Sequence, residues 1–136
     1  MAANPYMNLY AGTVTDGATD GNRIKLGAAD TDLGVNPLTV ALNASTAESK
    51  VVPVALRCQT GFETSGNVTI SFQGTNAAKW TVCDTAAGTF ASTLTIANTI
   101  GDTNKVFYVK ASSDTSENPA NDTSVSIHVE AAIAAV

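Results

Sequence analysis

The stretch Ser49 to Gly74, SKVVPVALRCQTGFETSGNVTISFQG, decides the fold class. Val52, Val54, Leu56 and Cys58 alternate with Val51, Pro53, Ala55 and Arg57. Further on, Val68, Ile70 and Phe72 alternate with Thr69, Ser71 and Gln73. A period of two with the apolar side chains on one face marks a strand that is half buried and half wet. Between the two strands, Gln59 to Asn67 reads as a polar arch. It is too long for a two-residue hairpin and suits a crossing from one sheet to another. Two apolar faces need cover, and a second sheet is the simplest partner. Pro53 cannot donate to a ladder, so the pairing is expected to be interrupted there.

Outward from this stretch the same pattern recurs. Pro37 to Leu42 alternates cleanly, with Leu38, Val40 and Leu42 on one face, and Asn43 to Glu48 is a turn. Lys79 to Cys83 places Trp80 and Val82 on one face, and Phe90 to Ile100 reads as a strand around Leu94 and Ile96. In Val106 to Ala111 both faces carry apolar groups, as expected of a strand in the middle of a sheet. Val125, Ile127 and Val129 form a last strand with His128 on its outer face, and Asn4 to Ala11 is a short first one. Gly12 to Gly34 is rich in Gly, Asp, Asn and Ala, the signature of a long loop or irregular edge. The sum is an all-β chain of seven or eight strands in a Greek-key β-sandwich. It forms one domain over residues 1–136, with an irregular N-terminal segment (1–34) and an apolar tail (131–136).

Composition narrows the function classes. Only 14% of residues are charged, against roughly 25% in an ordinary soluble domain. Solubility must come from neutral polar groups, chiefly Thr, Asn and Ser, a balance common in proteins that work outside cells. The net charge of -5, with scattered Lys and Arg, makes nucleic acid and anionic membranes poor partners. No run is long enough to span a membrane as a helix, so membrane insertion is not expected. The opening MAANPYMNLYAGTVTDG lacks a basic region followed by an apolar one, so no signal peptide is expected there and synthesis is placed in the cytoplasm.

Candidate chemistry is sparse. His128 is the only histidine, and no nucleophile elbow, phosphate loop or zincin helix accompanies it. Catalysis is therefore not expected, nor a cofactor. Asp16, Asp20, Asp30 and Asp32 invite a calcium reading, but DGATDGN does not supply the ligand spacing of a calcium loop, and turn formation is the better account. No metal site is expected. Cys58 and Cys83 are open to two readings, a disulfide between strands or two small buried thiols. Trp80 is read as core rather than as a platform for a sugar ring.

The last third, VFYVKASSDTSENPANDTSVSIHVEA, resembles the final two strands of bacterial and phage immunoglobulin-like or fibronectin-type domains. The likeness lies in an aromatic-x-Val-x-Ala strand, a polar loop, and an alternating Val-x-Ile-x-Val strand. The Cys…Trp…Cys arrangement of antibody domains is not reproduced, since Trp80 lies just before Cys83. The opening MAANPYMNLYAG and the composition likewise resemble small immunoglobulin-like proteins of phage and prophage structural regions. That resemblance implies a virion component: a domain in many copies on capsid or tail proteins, sometimes touching a host-surface glycan. A virion protein is made in the cytoplasm and released by lysis, which would reconcile an outer-surface composition with the expectation of no export signal.

Two surfaces follow as expectations. An attachment arm would use Tyr6, Leu9 and Tyr10 near one end of the chain, or Ile133 and Val136 near the other. A loop rim would bring together Phe62, Glu63 and Thr64 of the arch with Asp114, Glu117 and Asn118 of the loop Ser112 to Asp122. There an exposed Phe62 could stack on a sugar beside acidic and amide groups, the basis of the alternative reading as an adhesin or carbohydrate-binding module.

Overall fold

The computed structural model describes residues 6–24, 40–43, 46–113 and 125–136. Eight strands run through them: β1 (Met7–Ala11), β2 (Asn22–Arg23), β3 (Ser49–Cys58), β4 (Phe62–Gln73), β5 (Trp80–Cys83), β6 (Leu94–Ile96), β7 (Lys105–Ser112) and β8 (Ser126–Ala135). Among the described residues there is no α-helix, and a 3-10 turn at Ala77–Lys79 stands ahead of β5. The strands form two sheets, one ordered β2-β1-β3-β7-β5 and the other β6-β4-β8, with antiparallel pairing throughout. The chain is all-β, as the alternation implied.

The core lies where the alternation puts it. Val54, Leu56, Phe107, Val109 and Val82 of the larger sheet meet Val68, Ile70 and Ile96 of the smaller one, with Leu9, Ile24 and Ile100 completing the buried set. Trp80 packs against this cluster, its ring centroid 6.0 Å from that of Phe72. β7 is covered on both faces as expected. Phe107 and Val109 point inward, while Val106 joins Tyr10 and Ala55 in a second cluster on the outer face.

Pro53 does not interrupt its strand. β3 pairs with β7 in an unbroken register from Ser49↔Ser112 to Leu56↔Lys105. The N–H of Cys58 points toward the β7 side, donating to Gly101 O, and that of Gln59 points toward β1, donating to Tyr6 O. By alternation, odd-numbered residues of β3 donate toward β1. Pairing with β1 ends at Val54, so the bond that Pro53 cannot make falls where no β1 residue stands opposite.

Three further expectations need correction. The arch is shorter than the sequence implied: β3 ends at Cys58 and β4 begins at Phe62, so Gln59, Thr60 and Gly61 carry the crossing between sheets. Gly61 makes this turn possible with φ 94, a left-handed conformation that costs a glycine little. Of Pro37 to Leu42, residues 40–42 lie outside any strand, and 37–39 fall outside the described residues. The strand around Leu94 is confined to Leu94–Ile96, because Ile100 turns inward to bond with Thr64 instead of continuing a ladder.

Candidate interaction surface

Residues expected to act separately meet at one end of the sandwich. The Tyr6 and Phe62 rings pack edge to face with centroids 5.0 Å apart. Phe62 opens β4 and pairs with Ala135 near the end of β8, and the Val136 N–H donates to Gly61 O. The apolar tail thus extends the last strand and is fastened against the β3–β4 turn. Tyr6 is 47% exposed and Val136 83%, so this end presents an aromatic ring and an aliphatic side chain to solvent. Ile133 is half buried, paired with Thr64 on the inward face of β8.

The other expected site residues do not join this patch. Leu9 is buried in the main core and Tyr10 beneath the outer face of the larger sheet, because β1 is hydrogen-bonded between β2 and β3 rather than free as an arm. Thr64 is 2% exposed and structural: its N–H donates to Ile100 O at 2.9 Å, and its Oγ1 accepts from Ile100 N at 2.8 Å. Phe62, Glu63 and Thr64 therefore belong to a strand paired with β8, not to a loop rim, and Phe62 is half buried against Tyr6. Asp114, Glu117 and Asn118 lie outside the described residues.

A buried, multiply bonded polar group is one that sequence reasoning missed. Asn104, just before β7, is 4% exposed. Its Nδ2 donates to Asp20 Oδ1 at 2.9 Å, Asp20 O at 3.1 Å and Thr15 O at 3.2 Å, and its Oδ1 accepts from Arg57 Nη1 at 2.8 Å. Arg57 also donates to Asp20 O at 2.8 Å, and its guanidinium lies 3.5 Å from the Tyr10 ring centroid. The Asp20 carboxylate accepts from Thr15 N and Thr15 Oγ1, both at 2.8 Å, while Asp16 Oδ1 accepts from Val106 N. These contacts hold the loop after β1 against the sheet. The hydrogen bonds from Thr15 keep the Asp20 carboxyl below its usual pKa of 3.8. The available signal was a lone Arg on the outward parity of an apolar strand. It says that a partner is needed but not which loop supplies it.

No protein-family model matches this chain, and no curated protein or solved structure matches it either.

The remaining reactive groups are placed for structure. Cys58 is a buried free thiol, its Sγ 3.4 Å from Ile100 O, and burial foremost pushes its pKa up, with Glu63 and Asp102 adding to the effect. Cys83 is a half-buried free thiol. The register puts Cys83 beside Tyr108 and Tyr108 beside Pro53. The two cysteines are thus separated by roughly 10 Å across strands and about 17 Å along them. A disulfide needs Cα atoms within about 7 Å. His128 sits on the outer face of β8 with Nε2 3.1 Å from Glu130 Oε1. Among the described residues no group of His, Cys, Asp and Glu is arranged to hold a metal ion, and no helix is long and apolar enough to cross a membrane.

Proposed function

We propose that this chain is a non-enzymatic virion accessory protein, an immunoglobulin-like domain carried in many copies on a phage capsid or tail. In this reading it is made in the bacterial cytoplasm and leaves with the particle. It is attached through the sandwich end that carries Tyr6, Phe62 and Val136. The observation that carries the reading is the convergence of these residues, from distant parts of the chain, into one exposed apolar patch. The immunoglobulin-like assignment draws support from strand order. β1-β3-β7-β5 follows the order A-B-E-D of such sandwiches, and β4-β8 follows C-F, with β2 and β6 additional and no counterpart of G among the described residues.

The test is mass spectrometry of particles purified from lysates of the producing cells, repeated with Tyr6→Ser combined with Val136→Asp. The native chain should sediment with the particles in stoichiometric amounts, and the doubly substituted chain should stay in the supernatant while remaining folded. A native chain absent from particles would end the proposal. The exposed Tyr6 ring, held edge to face by Phe62, also favours a second reading, stacking on a host-surface sugar. That reading requires a glycan-array signal that Tyr6→Ser abolishes.

A further inference from the structure

The four sheet edges are unequal. Among the described residues the larger sheet ends in β2, of 2 residues, and β5, of 4, while the smaller ends in β6, of 3, and β8, of 10. Natural sheets protect a long edge with Pro, Lys, a bulge or a covering segment. β8 has neither Pro nor Lys, and the register shift against its neighbour adds residues to β4, between Ser65 and Thr69, leaving β8 regular. Its second face in the sheet plane meets no other strand of the described residues.

The groups presented at that edge follow from one bond. The Val136 N–H points toward β4, where it donates to Gly61 O. By alternation the even-numbered residues of β8 bond to β4, and Ile127, Val129, Ala131 and Ile133 turn their N–H and C=O groups to the other side, which is open among the described residues. Those same residues point their side chains into the sandwich, so a strand added here would have to continue the apolar inner layer. A cleft of about 180 Å3 runs beneath this edge, between Ile127, His128 and Val129 of β8 and Met7, Asn8, Leu9 and Leu56 of the larger sheet.

We infer that β8 pairs antiparallel with β8 of a second copy of this chain, about a two-fold axis at Val129. A two-fold partner of the same strand presents inward residues to inward residues in any register that keeps the pleat. The charges choose among these registers. An axis at Glu130 sets two carboxylates directly opposite each other, which is repulsive. An axis at Ala131 leaves His128 and Glu130 facing alanines. An axis at Val129 places His128 opposite Glu130 of the other copy, twice, in the closer, non-hydrogen-bonded class of pair. It also sets Ile127 against Ala131 and Val125 against Ile133, so the small sheets join into one continuous six-stranded sheet. The inference stands on this edge alone and is independent of attachment to a particle.

Sedimentation equilibrium tests it. The native chain should self-associate to a dimer with a dissociation constant on the order of micromolar to a hundred micromolar, as suits a small interface. His128→Glu or Glu130→Lys alone should weaken association at least about tenfold, a loss near 1.4 kcal/mol. The combination of the two sets opposite charges across the axis and should return the constant to within about threefold of native, about 0.6 kcal/mol. Ala131→Pro removes a donor from the open side only and should abolish the dimer with the circular dichroism spectrum of the fold intact. A native chain that stays monomeric to millimolar concentration overturns the inference. So does a dimer indifferent to the single charge changes, or one that the combined change fails to restore.

Discussion

Replacing Asn104 by alanine tests whether the loop after β1 is held by the polar cluster or merely rests on it. The side chain makes two effective donations. One goes to the Asp20 carboxylate at 2.9 Å, and one is shared between Asp20 O at 3.1 Å and Thr15 O at 3.2 Å. It also accepts from Arg57 at 2.8 Å. Bonds to charged groups contribute about 1.5–3 kcal/mol each and the neutral one about 1, so the gross loss is roughly 4–7 kcal/mol. Every partner keeps another bond, however. Arg57 retains Asp20 O, Asp20 Oδ1 retains Thr15 N, and Thr15 O retains Ala18 N. No buried group is orphaned, and the expected net loss falls to about 2–3 kcal/mol. With a urea dependence of roughly 1.5 kcal/mol per molar, the midpoint should drop by about 1.3–2 M. Trp80, the only tryptophan, reports the transition by fluorescence. Asn104→Asp is the sharper control, because it keeps the shape but turns the donor into a second carboxylate facing Asp20. It should be less stable than Asn104→Ala at neutral pH and recover as the pH falls and a proton bridges the pair. A midpoint for Asn104→Ala within 0.3 M of native, or an aspartate variant as stable as the alanine one at neutral pH, would refute the assignment.

Three other outcomes follow from the same coordinates. Asp20 has a folded-state pKa below the ordinary 3.8, so its contribution to stability is complete above that value and is lost as pH falls through the folded pKa. Asp20→Asn should accordingly flatten the acid limb of the stability profile, as read by thermal melts between pH 2 and 6, and native-like steepness in that variant would contradict it. Ile70→Ala empties a fully buried position between the sheets and should cost about 3–4 kcal/mol in a urea titration, whereas an effect under 1 would mean that the core is not packed as described. Under native conditions iodoacetamide should label Cys83 far faster than Cys58, whose thiol is buried and has a raised pKa. Equal labelling, seen by peptide mass spectrometry, would contradict the burial.

Alternation was enough to read β3, β4, β7 and β8, because a strand buried on one face writes its exposure directly into its sequence. Val54, Leu56, Val68, Ile70, Phe107 and Val109 all lie where that pattern puts them. Pattern failed where side chains were engaged in something other than facing core or water. Thr64 looks like a loop hydroxyl in the sequence. It is buried because the backbone of Ile100 needs both a donor and an acceptor, a demand made by residues far along the chain. Tyr10 and Leu9 look like an apolar arm, but β3 offers both of its edges to partners and β1 occupies one of them. Pro53 looks like a break, and only the length of β1 shows why it is not.

The proposed attachment surface was illegible for a related reason. In the sequence Tyr6, Phe62 and Val136 stand as parts of different features: an arm, a loop rim and a tail. What joins them is the three-residue crossing at Gln59–Gly61, which delivers Phe62 to Tyr6 on one side and lets Gly61 receive Val136 on the other. A period of two in the sequence reports which way a side chain points relative to its own sheet. It carries nothing about which strand ends share a corner of the sandwich. The side chains on β8 are a different case, since His128 and Glu130 can be read as a self-matching pair once the strand is outermost among the described residues. Edge position, not composition, is what makes that short run a candidate for pairing with a second copy.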